Sequence, residues 1–301
     1  MQKQVKKNTD TNLEFIKYQS LGNDFVLFDW LNNSEQNIQE ITGDKSFSAF
    51  VSKLCDRHFG IGADGIIILK KITKNMPEML IYNADGSQAE ICLNGLRCVA
   101  HYLYTQNKQI SFEIMAGPHT AHCTIAQDNP EDLSNIQIIT ALPISKSAQN
   151  LNTCPSSQSS QNNLEPIIAQ ISQARFAGYP INIGNPHFII LQKTTSEWLD
   201  AYGKELEQHK LFPQKTNVEF VWQQDQNTYN VLVYERGCGR TLACGSGAVA
   251  ITTLFYLQEK IKSQEKITLI MQGGSLTCWV ENNQVFLQAP ACPVFTGTIF
   301  K

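Results

Sequence analysis

Two cysteines stand where a thiol can do acid–base work. Cys92 lies in Cys92-Leu93-Asn94-Gly95 and Cys244 in Cys244-Gly245-Ser246-Gly247, each a glycine-containing loop just before a segment of helical periodicity. A helix N-terminus presents unpaired N–H groups and partial positive charge. It can therefore hold a carboxylate, and it favours a thiolate over a thiol. The second effect is small: about 0.3–2 kcal/mol, or about 0.2–1.5 pH units off an ordinary thiol near ~8.5. A base that modest calls for a helper. His187, beside the Gly184-Asn185-Pro186 turn, and Glu235, in Tyr234-Glu235-Arg236-Gly237, are the candidates.

A lone cysteine of this kind would be read as a small buried hydrophobe. A pair in matching contexts implies one cleft with a base on each side. Such a cleft can take a proton from one face of a carbon and return one to the other face. Stereoinversion needs that arrangement; hydrolysis and group transfer do not. One sulfur must begin as thiolate and the other as thiol, so the two titrate as a coupled unit.

The elements that must hold the thiols repeat along the chain. Gly22-Asn23-Asp24-Phe25-Val26-Leu27 and Gly184-Asn185-Pro186-His187-Phe188-Ile189 are each a Gly-Asn turn followed by an apolar strand. Each precedes one cysteine loop, in the same order, which reads as an internal duplication. After Cys92, residues Leu96, Val99, Ala100, Leu103 and Tyr104 recur with helical spacing; after Cys244, Ala248, Ile251, Thr252, Phe255 and Tyr256 do the same. The second segment is apolar almost all round, the mark of an enclosed helix. Short apolar runs at 66–69, 79–82, 111–115, 136–139, 188–191, 218–222, 231–234, 267–271 and 285–288 predict strands. The fold class expected is α/β (α+β), with two pseudo-symmetric domains, each a mostly antiparallel or mixed sheet wrapped around a central helix.

The chain has 301 residues, about two domains' worth, with net charge −3. That balance argues against a nucleic-acid-coating protein or a polybasic membrane binder. No apolar run approaches the ~18 residues of a membrane helix and no secretory signal opens the chain, so a cytoplasmic address is expected. Nine cysteines, an odd count, read as reduced thiols, and C-x5-C pairs do not have zinc spacing, so no metal is expected. The segments 1–12 and 147–163 read as loose polar stretches.

The motifs Leu21-Gly22-Asn23-Asp24-Phe25, Asp56-Arg57-His58 with Gly60-Ile61-Gly62-Ala63-Asp64-Gly65, Asn83-Ala84-Asp85-Gly86-Ser87, Cys92-x-Asn94-Gly95-x-Arg97-Cys98, Gly184-Asn185-Pro186-His187 and Glu235-Arg236-Gly237-x-Gly239-x-Thr241-Leu242-Ala243-Cys244-Gly245-Ser246-Gly247 together resemble the diaminopimelate epimerase family. The likeness runs from about residue 15 to the C-terminus, apart from 147–163. It implies a pyridoxal-independent epimerase of lysine and peptidoglycan synthesis, without a cofactor, that interconverts LL- and meso-diaminopimelate. It implies an N-terminal domain of 13–142 plus 290–301, a C-terminal domain of 143–289, and a homodimer with Phe295 at its contact. By motif, Cys92 and Cys244 are the base/acid pair, tuned by His187 and Glu235. Asn94 and the loop N–H groups of Leu93, Gly245 and Ser246 would hold the reacting carboxylate. Asn23, Asn83, Asn185, Asn217, Glu235 and Arg236 match substrate contacts.

The chemistry agrees. Diaminopimelate carries an amino-acid group at each end, so an enzyme that inverts one end must grip the other. Arg236 offers a fork for a distal carboxylate and Glu235 a charge for a distal ammonium. Three departures stand out. Leu93 replaces a glycine and would be strained if that position needed positive φ; Arg240 replaces a glutamate; Gly65 stands where some members have glutamine. Related readings are a two-cysteine racemase of another amino acid, such as histidine, and a non-catalytic amino-acid binder.

Other signals are discounted. Gly60–Gly65 has the form G-x-G-x-x-G but precedes a strand, whereas a dinucleotide site needs a helix there. His119 and His122 fall on opposite faces of a strand. Cys98 reads as packing, Asp56 and His58 as turn residues, and 197–206 as a surface helix.

Overall fold

The computed structural model describes residues 13–31, 46–73, 76–89, 92–126, 136–144 and 165–300. The two polar segments singled out above, 1–12 and 147–163, lie outside them, as does Cys154.

The first half runs β1 (Leu13–Ser20), β2 (Asn23–Asp29), α1 (Ser46–Cys55), β3 (Gly65–Thr73), β4 (Met76–Asn83), β5 (Gln88–Ala89), α2 (Leu93–Asn107), β6 (Ser111–Ala116), β7 (His119–Ala126) and β8 (Gln137–Pro143). After a short β9 (Ile167–Gln170), the same order returns. It comprises β10 (Arg175–Asn182), β11 (Pro186–Ile190), α3 (Ser196–Glu207), β12 (Asn217–Asp225), β13 (Thr228–Glu235), β14 (Gly239–Thr241), α4 (Gly245–Leu257), β15 (Ile267–Met271), β16 (Gly274–Glu281) and β17 (Gln284–Pro290). A last strand, β18 (Cys292–Ile299), pairs antiparallel with β1.

Pairing repeats as well. Strands β2 and β3 are parallel, as are β11 and β12, and each parallel pair is bridged by a helix. Antiparallel β3–β4 and β12–β13 follow. Strand β6 lies parallel to β4, and β15 parallel to β13. The halves are also joined through the antiparallel β8–β17 pair. The expected mixed sheets are present, and the duplication read from two short motifs extends through ten successive elements.

Every predicted apolar run lies in or at the edge of a strand. The run Ile66–Leu69 is continuous rather than alternating because its sheet is covered on both faces. Val26, Phe28, Ile66 and Ile68 pack with Phe47, Val51 and Leu54 of α1. Phe25, Leu27, Ile67 and Leu69 turn the other way, into the core that holds α2. In the second half Phe188, Ile190, Val218 and Phe220 meet Leu199 and Leu206 of α3, while Ile189, Val221, Val231 and Val233 join α4. The cores around α2 and α4 form one continuous cluster. Helix α4 is buried from Gly245 through Phe255 apart from Ser246, as its all-round apolarity predicts.

The halves meet at tight turns. Leu21 (φ 55) and Gly22 (φ 79) make the β1–β2 turn in the left-handed region. A Cβ on Gly273 would fall 1.8 Å from the Leu21 carbonyl oxygen, so only glycine lets the β15–β16 turn approach this closely.

Candidate active site

Cys92 is the N-cap of α2 and Cys244 the N-cap of α4. Both have extended backbone, at φ −141 and −120, and each sulfur accepts an N–H from the third residue on. Gly95 N–H donates to Cys92 Sγ at 3.5 Å, and Gly247 N–H donates to Cys244 Sγ at 3.3 Å. Cysteine thus occupies the position usually filled by serine or aspartate, with sulfur as the capping acceptor.

The two helix starts abut. A Cβ on Gly245 would lie 2.9 Å from the Cβ of Leu93, and Asn94 Nδ2 lies 3.4 Å from the Ala243 carbonyl oxygen. Leu93 is helical and outside the positive-φ set, so the strain that a glycine replacement could have brought is absent. Its side chain instead fills the seam between the helices.

Around Cys92 the polar groups come from the first half. Asn23, at the start of β2, presents Oδ1 to the thiol at 3.8 Å and accepts Asn94 Nδ2 at 3.1 Å. Its own Nδ2 donates to Asp64 Oδ2 at 2.7 Å. Around Cys244, Ser246 Oγ is 3.3 Å from the sulfur, and Asn185 Nδ2 donates toward Ser246 Oγ at 3.4 Å. Asn185 Oδ1 stands 3.1 Å from His187 Nε2, and His187 Nδ1 donates to Glu219 Oε1 at 2.6 Å. Glu235, at the end of β13, accepts Thr241 Oγ1 at 2.5 Å and bonds Cys244.

The remaining predicted contacts are placed with less freedom. Asn83 donates to Ser87 Oγ at 3.0 Å. The Asn217 amide is spent on backbone: Nδ2 donates to the Pro186 carbonyl at 2.9 Å and Oδ1 accepts the Arg236 N–H at 3.0 Å. It fixes the Arg236 backbone rather than offering a free amide. The Arg236 side chain is exposed, its Nη1 3.4 Å from the Gln214 carbonyl oxygen. Phe295, on β18, is half-exposed with its ring edge-on to Phe15. Arg240, the charge reversal, bonds Asp200 and Gln272, both at 2.6 Å, so its charge is spent on the surface.

Sequence reasoning missed the two charges that are wholly buried, Glu219 and Arg97. Glu219 is wholly buried on β12, and a Cβ on Gly247 would fall 2.9 Å from its Oε1. Arg97 is wholly buried on α2. In hindsight the signal was an acid inside Val218-Glu219-Phe220-Val221 and a base in step with Leu93, Ala100 and Tyr104.

Electrostatics set the two thiols apart. Burial pushes the Cys92 thiol up, and Glu235 adds to that, while the Gly95 N–H and Arg97 pull down. Burial pushes Cys244 well up, and Glu235 and Glu219 push further against the Ser246 and Gly247 donors. Burial outweighs the helix ends at both sulfurs. Glu235 is itself raised by burial, partly offset by its bonds from Thr241 and Cys244. The discounted residues behave as read. Asp56 accepts the N–H groups of His58 and Phe59, and Cys98 is fully buried. Among the described residues no His/Cys/Asp/Glu group is arranged to hold a metal ion, and no helix is long and apolar enough to cross a membrane.

Fold and site define an α/β protein of two like halves, with a thiol capping the central helix of each. The sequence model of diaminopimelate epimerase matches residues 15–136 and 179–290. A diaminopimelate epimerase of Carboxydothermus hydrogenoformans is 37% identical over 296 residues, covering 96% of this chain and all of that one. One from Methanococcus maripaludis is 35% identical, covering 95% and 99%. The chain belongs to the diaminopimelate epimerase family. Among solved structures, a hydroxyproline epimerase from Agrobacterium vitis has a TM-score of 0.66 at 9% identity, covering 96% of this chain and 92% of that one. A PhzF-family phenazine biosynthesis protein from Bacillus anthracis has a TM-score of 0.60 at 12% identity, covering 97% and 100%. These two likenesses establish the fold alone.

Proposed function

We propose that this chain interconverts LL- and meso-diaminopimelate by proton transfer between two thiols. The observation that carries the reading is the abutment of two cysteine-capped helices. In one direction, the thiolate of one cysteine takes the α-proton, forming S–H as the C–H bond breaks. The electron pair is delocalised into the substrate carboxylate, held by the N–H groups of Leu93, Asn94, Gly245 and Ser246. The other cysteine gives its proton to the opposite face, and the sulfurs exchange protonation states. Nothing is oxidised or reduced, and the two thiols complete the proton balance between them.

Asn23, Asn83, Asn185, Asn217, Glu235 and Arg236 are assigned to substrate recognition, Asn217 through the Arg236 backbone. His187 and Glu235 tune the thiols. No cofactor enters this scheme. The domain division 13–142 plus 290–301 against 143–289 is supported by the β1–β18 pair. A cytoplasmic homodimer is the proposed state, with the exposed Val294 and Phe295 edge of β18 at its contact; Phe295→Asp followed by light scattering tests it.

The deciding experiment is an epimerisation assay on LL-diaminopimelate beside a panel of amino acids that includes histidine, run in heavy water. Deuterium should enter the α-carbon of diaminopimelate. Turnover of another amino acid alone would transfer the assignment to a related racemase, and no turnover at all would favour a binding protein. Arg236→Ala should cause a large loss on diaminopimelate, because the distal carboxylate loses its fork.

A further inference from the structure

Arg97 sits on α2 just beyond Cys92, fully buried, and makes no ion pair among the described residues. A cation buried without a counter-ion costs several kcal/mol, and an apolar residue of similar length would be more stable there. Its Nε donates to Ser20 Oγ at 3.0 Å, Nη2 donates to Asn94 Oδ1, and Nη1 has no partner among the described residues. The Ser20 hydroxyl in turn donates a hydrogen bond to the Pro290 carbonyl at 2.8 Å. The groups that act most strongly on the guanidinium are thiols: Cys98 on α2, Cys92 at the cap, Cys278 on β16 and Cys123 on β7.

The hydrogen bonds from Arg97 form a directed chain. Arg97 donates to Asn94 Oδ1, Asn94 Nδ2 donates to Asn23 Oδ1 at 3.1 Å, and Asn23 Nδ2 donates to Asp64 Oδ2 at 2.7 Å. Guanidinium can only donate and carboxylate can only accept. The two ends therefore allow one orientation for each amide. Flipping either would set an NH2 group against the guanidinium or a carbonyl against the carboxylate. The consequence at the site is that Asn23 turns its oxygen to the Cys92 thiol, and Asn94 turns its NH2 group to the seam beside Ala243.

We infer that Arg97 is a positioning residue of the Cys92 half-site: its buried guanidinium locks Asn94 and Asn23 in one amide orientation and sets a fixed positive charge behind the Cys92 thiol. The other half-site is built with the opposite sign, since Glu235 and Glu219 act on Cys244, and Glu219 is bonded to His187 at 2.6 Å. Glu235 also faces Cys92 across the seam. The two thiols, alike in their caps, are thus made unlike by what lies beneath them. The catalytic consequence of this, and the KM readouts below, rest on the proposed two-thiol function; the alkylation readout does not.

The test is iodoacetamide alkylation across a pH series, with Cys92 and Cys244 peptides resolved by mass spectrometry. Arg97→Met should slow Cys92 alkylation at neutral pH about tenfold and move its midpoint up about one pH unit, leaving Cys244 within about twofold. Arg97→Lys keeps the charge and loses the fork. It should leave the Cys92 midpoint near that of the parent but raise the KM for diaminopimelate by about tenfold. A folded Arg97→Met with an unchanged Cys92 profile overturns the electrostatic role, whatever its activity. Should the Met variant not fold, Asp64→Asn, at the exposed end of the same chain, decides the amide lock: KM should rise with the Cys92 profile in place, and an unchanged KM overturns it. If the parent turns over no diaminopimelate but Cys92 responds to Arg97 as stated, the proposed substrate falls and this role of Arg97 stands.

Discussion

Leu93 and Gly245, each the first residue of its helix after a cysteine cap, face one another so closely that a Cβ on Gly245 would fall 2.9 Å from that of Leu93. One helix start can carry a leucine only because the other carries no side chain. Gly245→Ala should therefore push the caps apart and cut kcat/KM at least tenfold. Leu93→Gly alone should be mild, and the double variant should recover part of the loss. Additive effects in that cycle would show that the two residues do not compete for space.

Cys92→Ser and Cys244→Ser should each lower epimerisation at least about a hundredfold, because a hydroxyl is a far weaker acid than a thiol at the same cap. Oxidation that joins the two sulfurs should stop turnover, and a thiol reductant should restore it. Full activity in either serine variant would end the two-thiol mechanism.

Glu219→Gln keeps the shape beneath Cys244 and removes a negative charge. That charge holds the Cys244 thiol up, so its loss should move the alkylation midpoint of Cys244 downward and leave Cys92 in place. Turnover should fall as well, because His187 loses its charged partner at 2.6 Å. A Cys244 midpoint that rises or stays fixed would contradict this assignment.

Asp24 ties the site to acid stability. Burial opposes its ionisation, but bonds from Arg57 and Lys17 outweigh that and hold the carboxyl at about 2 against an ordinary 3.8. A depressed carboxyl contributes stability that is complete above its unfolded value and lost as pH falls through about 2. Asp24→Asn should flatten the acid limb of Tm against pH between those two values. It should also lower Tm at neutral pH by on the order of 5 °C, because Lys17 stays buried without its anion. An unaltered acid limb would place the stabilising charge elsewhere.

Local signals carried far. Cys92 and Cys244 were legible as helix caps because a glycine loop followed by a 3.6-residue apolar period is written in consecutive residues. The strands at Ile66–Leu69 and Val218–Trp222 were legible for the same reason, and the repeated order of turn, strand and cap gave two like halves. Arg97 and Glu219 were not legible as parts of the site. Whether a charge in an apolar helix or strand is buried depends on what packs over it, and for both residues the cover comes from elements distant in sequence. The meeting of Leu93 with Gly245 likewise follows from how the halves dock. The chain by itself determined which residues could do proton chemistry. Only tertiary packing decided that the caps abut, that the Arg97 charge on the Cys92 helix is buried, and that Glu219 lies against the start of the Cys244 helix, because burial and these contacts depend on elements far apart along the backbone.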